Sequence, residues 1–165
     1  MPQQTVIQRA GAAAAMVCCL CAAPPAAYAQ SAPSTFSQVI GSALLCRSEL
    51  DSAFFYGWMV QHFGKPYKQE GGAHWFKVEA NLWGAQVNEV MVSDDSSEVV
   101  FLAAVIDATP DKLDEMIRLQ AGPRHRPQDA SKYPLRESQP GSQIVYFKEK
   151  SKIYCIRYKP LRPAQ

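Results

Sequence analysis

VVFLAAVI, Val99 to Ile106, is the longest uninterrupted apolar run after the N-terminal segment, and the architecture turns on it. Eight residues cannot cross a bilayer, which takes ~20 in a helix. The run has no polar alternation, so neither face of a strand there would meet water. It lies between a polar turn, Asp94-Asp95-Ser96-Ser97, and a helix start at Thr109-Pro110. It is expected to be a central strand buried on both faces.

The flanking segments supply its neighbours. HWFKVEA, His74 to Ala80, puts Phe76, Val78 and Ala80 on one face and Trp75, Lys77 and Glu79 on the other, the period of a half-buried strand. Leu82-Trp83-Gly84 predicts a turn or bulge before a second strand over Gln86 to Val92. After the central run, Thr109 is placed as N-cap, Pro110 at the first helical position and Asp111 at the positive end of the helix dipole. Leu113, Met116, Ile117 and Gln120 form the inward stripe of this helix, and Gly122-Pro123 ends it. A last hairpin pairs Gln143 to Phe147 with Lys152 to Lys159 across a KEKS turn.

Two helices come first. Phe36, Val39, Ile40, Ala43 and Leu44 share one face behind a cap at Ser34 or Thr35, although Gly41 weakens this helix. In the second, Ser48 and Asp51 are spaced as a variant capping box. Leu50, Phe54, Phe55, Trp58, Met59 and Phe63 form a broad face, and Gly64 and Pro66 write the stop. Aromatics at helical spacing are expected to be core rather than a ligand groove. The order α-α-β-β-β-α-β-β predicts a single α+β domain, with a mainly antiparallel sheet of about five strands and helices packed on one face. This order is similar to that of the chaperones that hold type III secretion effectors, a likeness of layout that assigns no function.

Residues 1–29 have the grammar of a cleavable signal peptide: Arg9, an apolar stretch from Ala10 to Ala23, and Ala27-Tyr28-Ala29 as the cleavage site. The competing reading, a membrane anchor, is opposed by Pro24-Pro25. The folded domain then spans residues 30–165, without a further membrane span, in the periplasm or outside the cell. Cys18, Cys19 and Cys21 leave with the signal, and Cys46 and Cys155 remain. An oxidising compartment favours one disulfide between them, the alternative being two free thiols.

The net charge of +2 hides an asymmetry. From Gln30 to Ala121 there are six Lys or Arg against twelve Asp or Glu; from Gly122 to Gln165, ten against three. GPRHRPQDASKYPLRESQPGS, residues 122–142, is expected to be a long basic, proline-rich loop. Arg124, Arg126, Lys132 and Arg136 of this loop could join Lys148, Lys150 and Lys152 of the hairpin as one basic face for an acidic protein or an anionic envelope component. Alternatively, these cations mix with the acidic half. No nucleic-acid recognition motif accompanies them.

Motifs for chemistry are missing from the linear sequence. There is no G-x-S-x-G, and Gly141-Ser142 is expected to be a turn. Asp94-Asp95 is expected to be a solvated turn, and Asp114-Glu115 the outer face of a helix. His62, His74 and His125 lack the spacing of a zinc site, and no metal or other cofactor is expected. The leading functional expectation is a small exported, non-catalytic binding module of inhibitor, immunity or adaptor type. It would act through the basic loop and C-terminal hairpin. The alternatives are an envelope enzyme whose site is not visible in sequence, and an assembly or chaperone-like factor using exposed Trp75 and Trp83.

Overall fold

The computed structural model describes residues 31–159; the expected signal peptide, residues 1–29, lies outside the described residues. Helix α1 is a π-helical turn, Ser37–Gly41, running directly into an α-helical turn, Ser42–Leu44. Helices α2 (Ser52–Phe63) and α3 (Pro110–Ala121) are regular. The strands are β1 (Lys68–Glu70), β2 (Ala73–Leu82), β3 (Ala85–Ser93), β4 (Val99–Ile106), β5 (Arg126–Pro127), β6 (Arg136–Glu137), β7 (Gln143–Phe147) and β8 (Lys150–Tyr158). They form one sheet in the order β1-β2-β3-β4-β8-β7-β6-β5, with every neighbouring pair antiparallel.

The α+β class and the antiparallel sheet agree with the sequence, but the sheet has eight strands rather than about five. The additional strands are β1, β5 and β6, each two or three residues long. Such lengths carry no hydrophobic period; they are strands because a neighbour offers a ladder. Arg126 pairs with Glu137, and Arg136 with Ile144, so part of the expected loop extends the sheet.

Strand β4 lies at the centre, between β3 and β8. Leu102, Ala104 and Ile106 join Phe76, Val90, Ile144 and Ile153 in the main core, under Ile40, Leu44, Phe55, Met59, Leu113 and Ile117 from the three helices. Ala103 and Val105 point the other way and join Ala73 and Met91 in a smaller cluster that contains no helical residue. The sheet therefore has one helix-covered face and one helix-free face.

Local chemistry explains the helix ends. Asp51, not Ser48, caps α2: its carboxylate accepts from the amides of Ala53 and Phe54. Phe54 is 54% exposed, so it leaves the expected core face, while Phe55 and Met59 are buried. Gly41 is explained by close approach, since a Cβ there would lie 3.3 Å from Leu82 Cδ2 and 3.7 Å from Trp83 Cζ2. Trp83 and Gly84, both with positive φ, form a two-residue turn between β2 and β3. The turn folds Trp83 inward to 7% exposure, which removes it as an exposed aromatic. The last hairpin also closes on two residues, Lys148 and Glu149, rather than four.

A disulfide joins Cys46, just past α1, to Cys155 in β8, with Cα atoms 5.4 Å apart and a sequence separation of 109. In the chain-entropy model, closing a loop of this length constrains the unfolded chain by ~4 to 5 kcal/mol. Among the described residues, no helix is long and apolar enough to cross a membrane.

Candidate functional site

The segment between α3 and β7 is held by buried polar contacts. In the extended run Arg124-His125-Arg126, successive side chains point to opposite sides. His125 is buried, while Arg124 and Arg126 are exposed. The His125 backbone amide donates to Asp114 Oδ1, and its ring Nε2 lies 3.1 Å from Ser142 Oγ. Asp114 thus faces the loop instead of forming part of an outer helix face as its sequence position suggested. Burial lowers the His125 pKa below the ordinary imidazole value; Asp114 opposes this shift and Arg136 reinforces it. Arg136 itself pairs with Asp111 in the first turn of α3.

Ser142, His125 and Asp114 stand in the order of a nucleophile, base and orienting acid. Sequence reasoning missed this because Ser142 and His125 are 17 residues apart and no motif frames them. The geometry is that of a tie. Ser142 is 0% exposed and His125 1%, leaving no approach for a substrate. His125 Nδ1 lies 3.5 Å from Asp114 Oδ1, too far for a well-formed hydrogen bond.

Beside this tie opens a cavity of about 760 Å³, lined among others by Arg124, Arg126, Gln128, Glu137 and Gly141. Among the described residues, no carboxylate forms an ion pair with Arg124 or Arg126. The remaining cations singled out in sequence lie elsewhere. Lys132 and Arg136 line a smaller hollow against Asp111 and the stacked rings of Tyr133 and Tyr146. Lys150 donates to Asn88 Oδ1 and lies 3.7 Å from Asp107. Lys148 and Lys152 both approach the Phe147 ring, at 5.6 and 4.4 Å from its centroid. The fold therefore brings Arg124 together with Arg126, Lys132 with Arg136, and Lys148 with Lys152.

Lys152 projects from the helix-free face. There Ala73, Met91 and Ala103 floor a groove of about 540 Å³ walled by Trp75, Phe101 and Tyr154. The Trp75 indole N–H donates to the Glu70 carbonyl, which fixes the ring, and Lys68 lies 3.9 Å from the ring centroid. Nearby, Tyr67 and Lys77 both donate to Glu89. Burial raises the Tyr67 phenol to about 12, helped by Glu89. Burial would also raise the Glu89 carboxyl, but hydrogen bonds from Lys77 and Tyr67 hold it below its ordinary value. Burial lowers Lys152, partly offset by Glu89. Among the described residues, no cluster of three or more His, Cys, Asp or Glu could hold a metal ion.

Fold and site together define a disulfide-stapled α+β protein with an arginine-lined cavity at one end of its sheet and an aromatic groove on the helix-free face. Compared with protein-family models, curated proteins and solved structures, the chain matches none.

Proposed function

We propose that the protein is a small exported binding module of inhibitor, immunity or adaptor type, acting without catalysis. Its binding surface is the cavity flanked by Arg124 and Arg126, and its partner is an acidic protein or an anionic envelope component. One observation carries this reading. The buried His125, tied to Asp114 and Ser142, holds toward an open cavity two arginines that have no ion-pair partner among the described residues. A fixed backbone spares the cost of ordering the loop on binding, which favours affinity, and leaves only the rotamer freedom of the two exposed side chains to be lost. Export is supported by the signal-like residues 1–29 and by the Cys46–Cys155 bond, which suits an oxidising compartment.

Replacing Arg124 and Arg126 together by glutamate, followed by capture from envelope extract, tests the reading. Loss of the captured partners at low salt, with wild-type capture itself weakening as salt rises, is the expected result. An unchanged set of partners would overturn it.

A second reading, an envelope enzyme, has the alignment of Ser142, His125 and Asp114 in its favour and the burial of the first two against it. Stoichiometric labelling of Ser142 by a fluorophosphonate would establish it.

A further inference from the structure

A second surface, sharing no residue with the arginine cavity, carries a separate inference. The helix-free face of the sheet is not a plain solvated face. Ala73, Met91, Ala103 and Val105 are only 2–3% exposed although no helix covers them. Longer side chains standing around them do the covering, and the small residues at the floor leave a groove of about 540 Å³. Ligand sites of this kind are typically ~300 to 1,000 Å³, mostly apolar, with a few placed polar groups.

The placed polar group is the Lys152 ammonium. It lies 4.4 Å from the Phe147 centroid and 5.5 Å from that of Trp75, at the end of a half-buried stem. The nearby acids are engaged elsewhere: Glu70 pairs with Lys68, and Glu89 with Lys77 and Tyr67. Among the described residues, Lys152 has no ion-pair partner. A partly desolvated ammonium against aromatic faces is stabilised by the rings, but an anion arriving along the apolar floor stabilises it more.

We infer that this groove binds a single anionic amphiphile, an apolar chain or ring system carrying one carboxylate, with its apolar body between Trp75, Phe101 and Tyr154 above the buried floor and its carboxylate on Lys152. Charge chooses this occupant over a second copy of the chain. Two such faces brought together would bury two Lys152 ammoniums without a counter-charge, because Glu70 and Glu89 are already paired with Lys68 and Lys77, at a cost in affinity.

Calorimetric titration of the purified, disulfide-intact protein with dodecanoate and with dodecyltrimethylammonium, both below their micellar concentrations, tests the inference. Dodecanoate is expected to bind one per chain, and the cationic analogue about tenfold more weakly or worse, the scale of one charge-assisted contact. Lys152→Met should lower dodecanoate affinity about tenfold, Lys152→Arg should retain it, and Ala103→Phe should abolish it by filling the floor. Circular dichroism verifies that each variant folds; if Ala103→Phe does not, the two Lys152 variants, which change a side chain outside the main core, still decide. Arg124→Glu with Arg126→Glu should leave the titration unchanged, so this result stands or falls separately from the proposed function. Equal affinity for the two head groups, an unaffected Lys152→Met variant, saturation only on protein dimerisation, or binding only to phosphatidylglycerol vesicles would each overturn it.

Discussion

Asp114 Oδ1 accepts the backbone amide of His125, and the same oxygen lies 3.5 Å from the His125 ring. One helical carboxylate thus fixes the backbone of a loop residue 11 positions on and lies beside its imidazole without a well-formed hydrogen bond to it.

The burial of His125 makes folding stability depend on pH. The His125 pKa is depressed in the folded state, chiefly by burial, from an ordinary value of 6.5. The unfolded chain therefore takes up a proton more readily than the folded one. The contribution to stability is complete above about pH 6.5 and is lost as the pH falls below it. Urea midpoints are expected to fall between pH 7.5 and pH 5.5 in the wild type, and to fall less in His125→Gln. Equal slopes in the two proteins would show that His125 is not the titrating group.

The turn between β7 and β8 holds a correctable strain. Lys148 and Glu149 have φ values of 46° and 65°, in the left-handed region. A two-residue hairpin turn with positive φ at both positions favours Asn-Gly. Lys148→Asn with Glu149→Gly is expected to stabilise the protein by about 1 kcal/mol, the scale of one left-handed L-residue. A thermal melt at fixed pH measures it, and a lower melting temperature would contradict the assignment.

The staple gives the third expectation. In the chain beginning at Gln30, thiol titration of the denatured, unreduced protein should find no free sulfhydryl. Reduction is expected to cost up to ~4 to 5 kcal/mol in urea unfolding, since it restores freedom to a loop of more than 100 residues. Two free thiols per chain would refute the bond.

Parts of this architecture were legible because several local signals agreed. Val99 to Ile106 is apolar throughout and is the central strand; Thr109-Pro110 and Gly122 bracket α3 as expected, although Thr109 makes no side-chain capping bond. Phe76, Val78 and Ala80 face the core as their alternation requires. Strands β5 and β6 were not legible, because two residues cannot express a period and their pairing depends on β7. The two exposed-tryptophan candidates divided for a related reason. Trp75 lies within a strand, where alternation holds, whereas Trp83 lies in a turn with φ of 52°, where it does not. The Ser142–His125–Asp114 array joins a loop, a strand start and a helix, and only the folded chain brings them together. The aromatic groove was half visible, in that Trp75 and Lys77 were assigned to the face opposite Phe76 and Val78, but its floor needed the register of three strands.

The two ends of the sheet have a consequence for life at high concentration. Strand β1 is three residues long, and β5 is two, one of them Pro127, which has no amide to donate. At those positions a strand from a neighbouring molecule would find few free backbone groups, but β1 covers only Ala73 to Trp75 of the ten-residue β2. Edge-to-edge growth is therefore hindered at the short terminal strands, and would have to begin on β2 beyond Trp75, where among the described residues Ser31 bridges only Glu79.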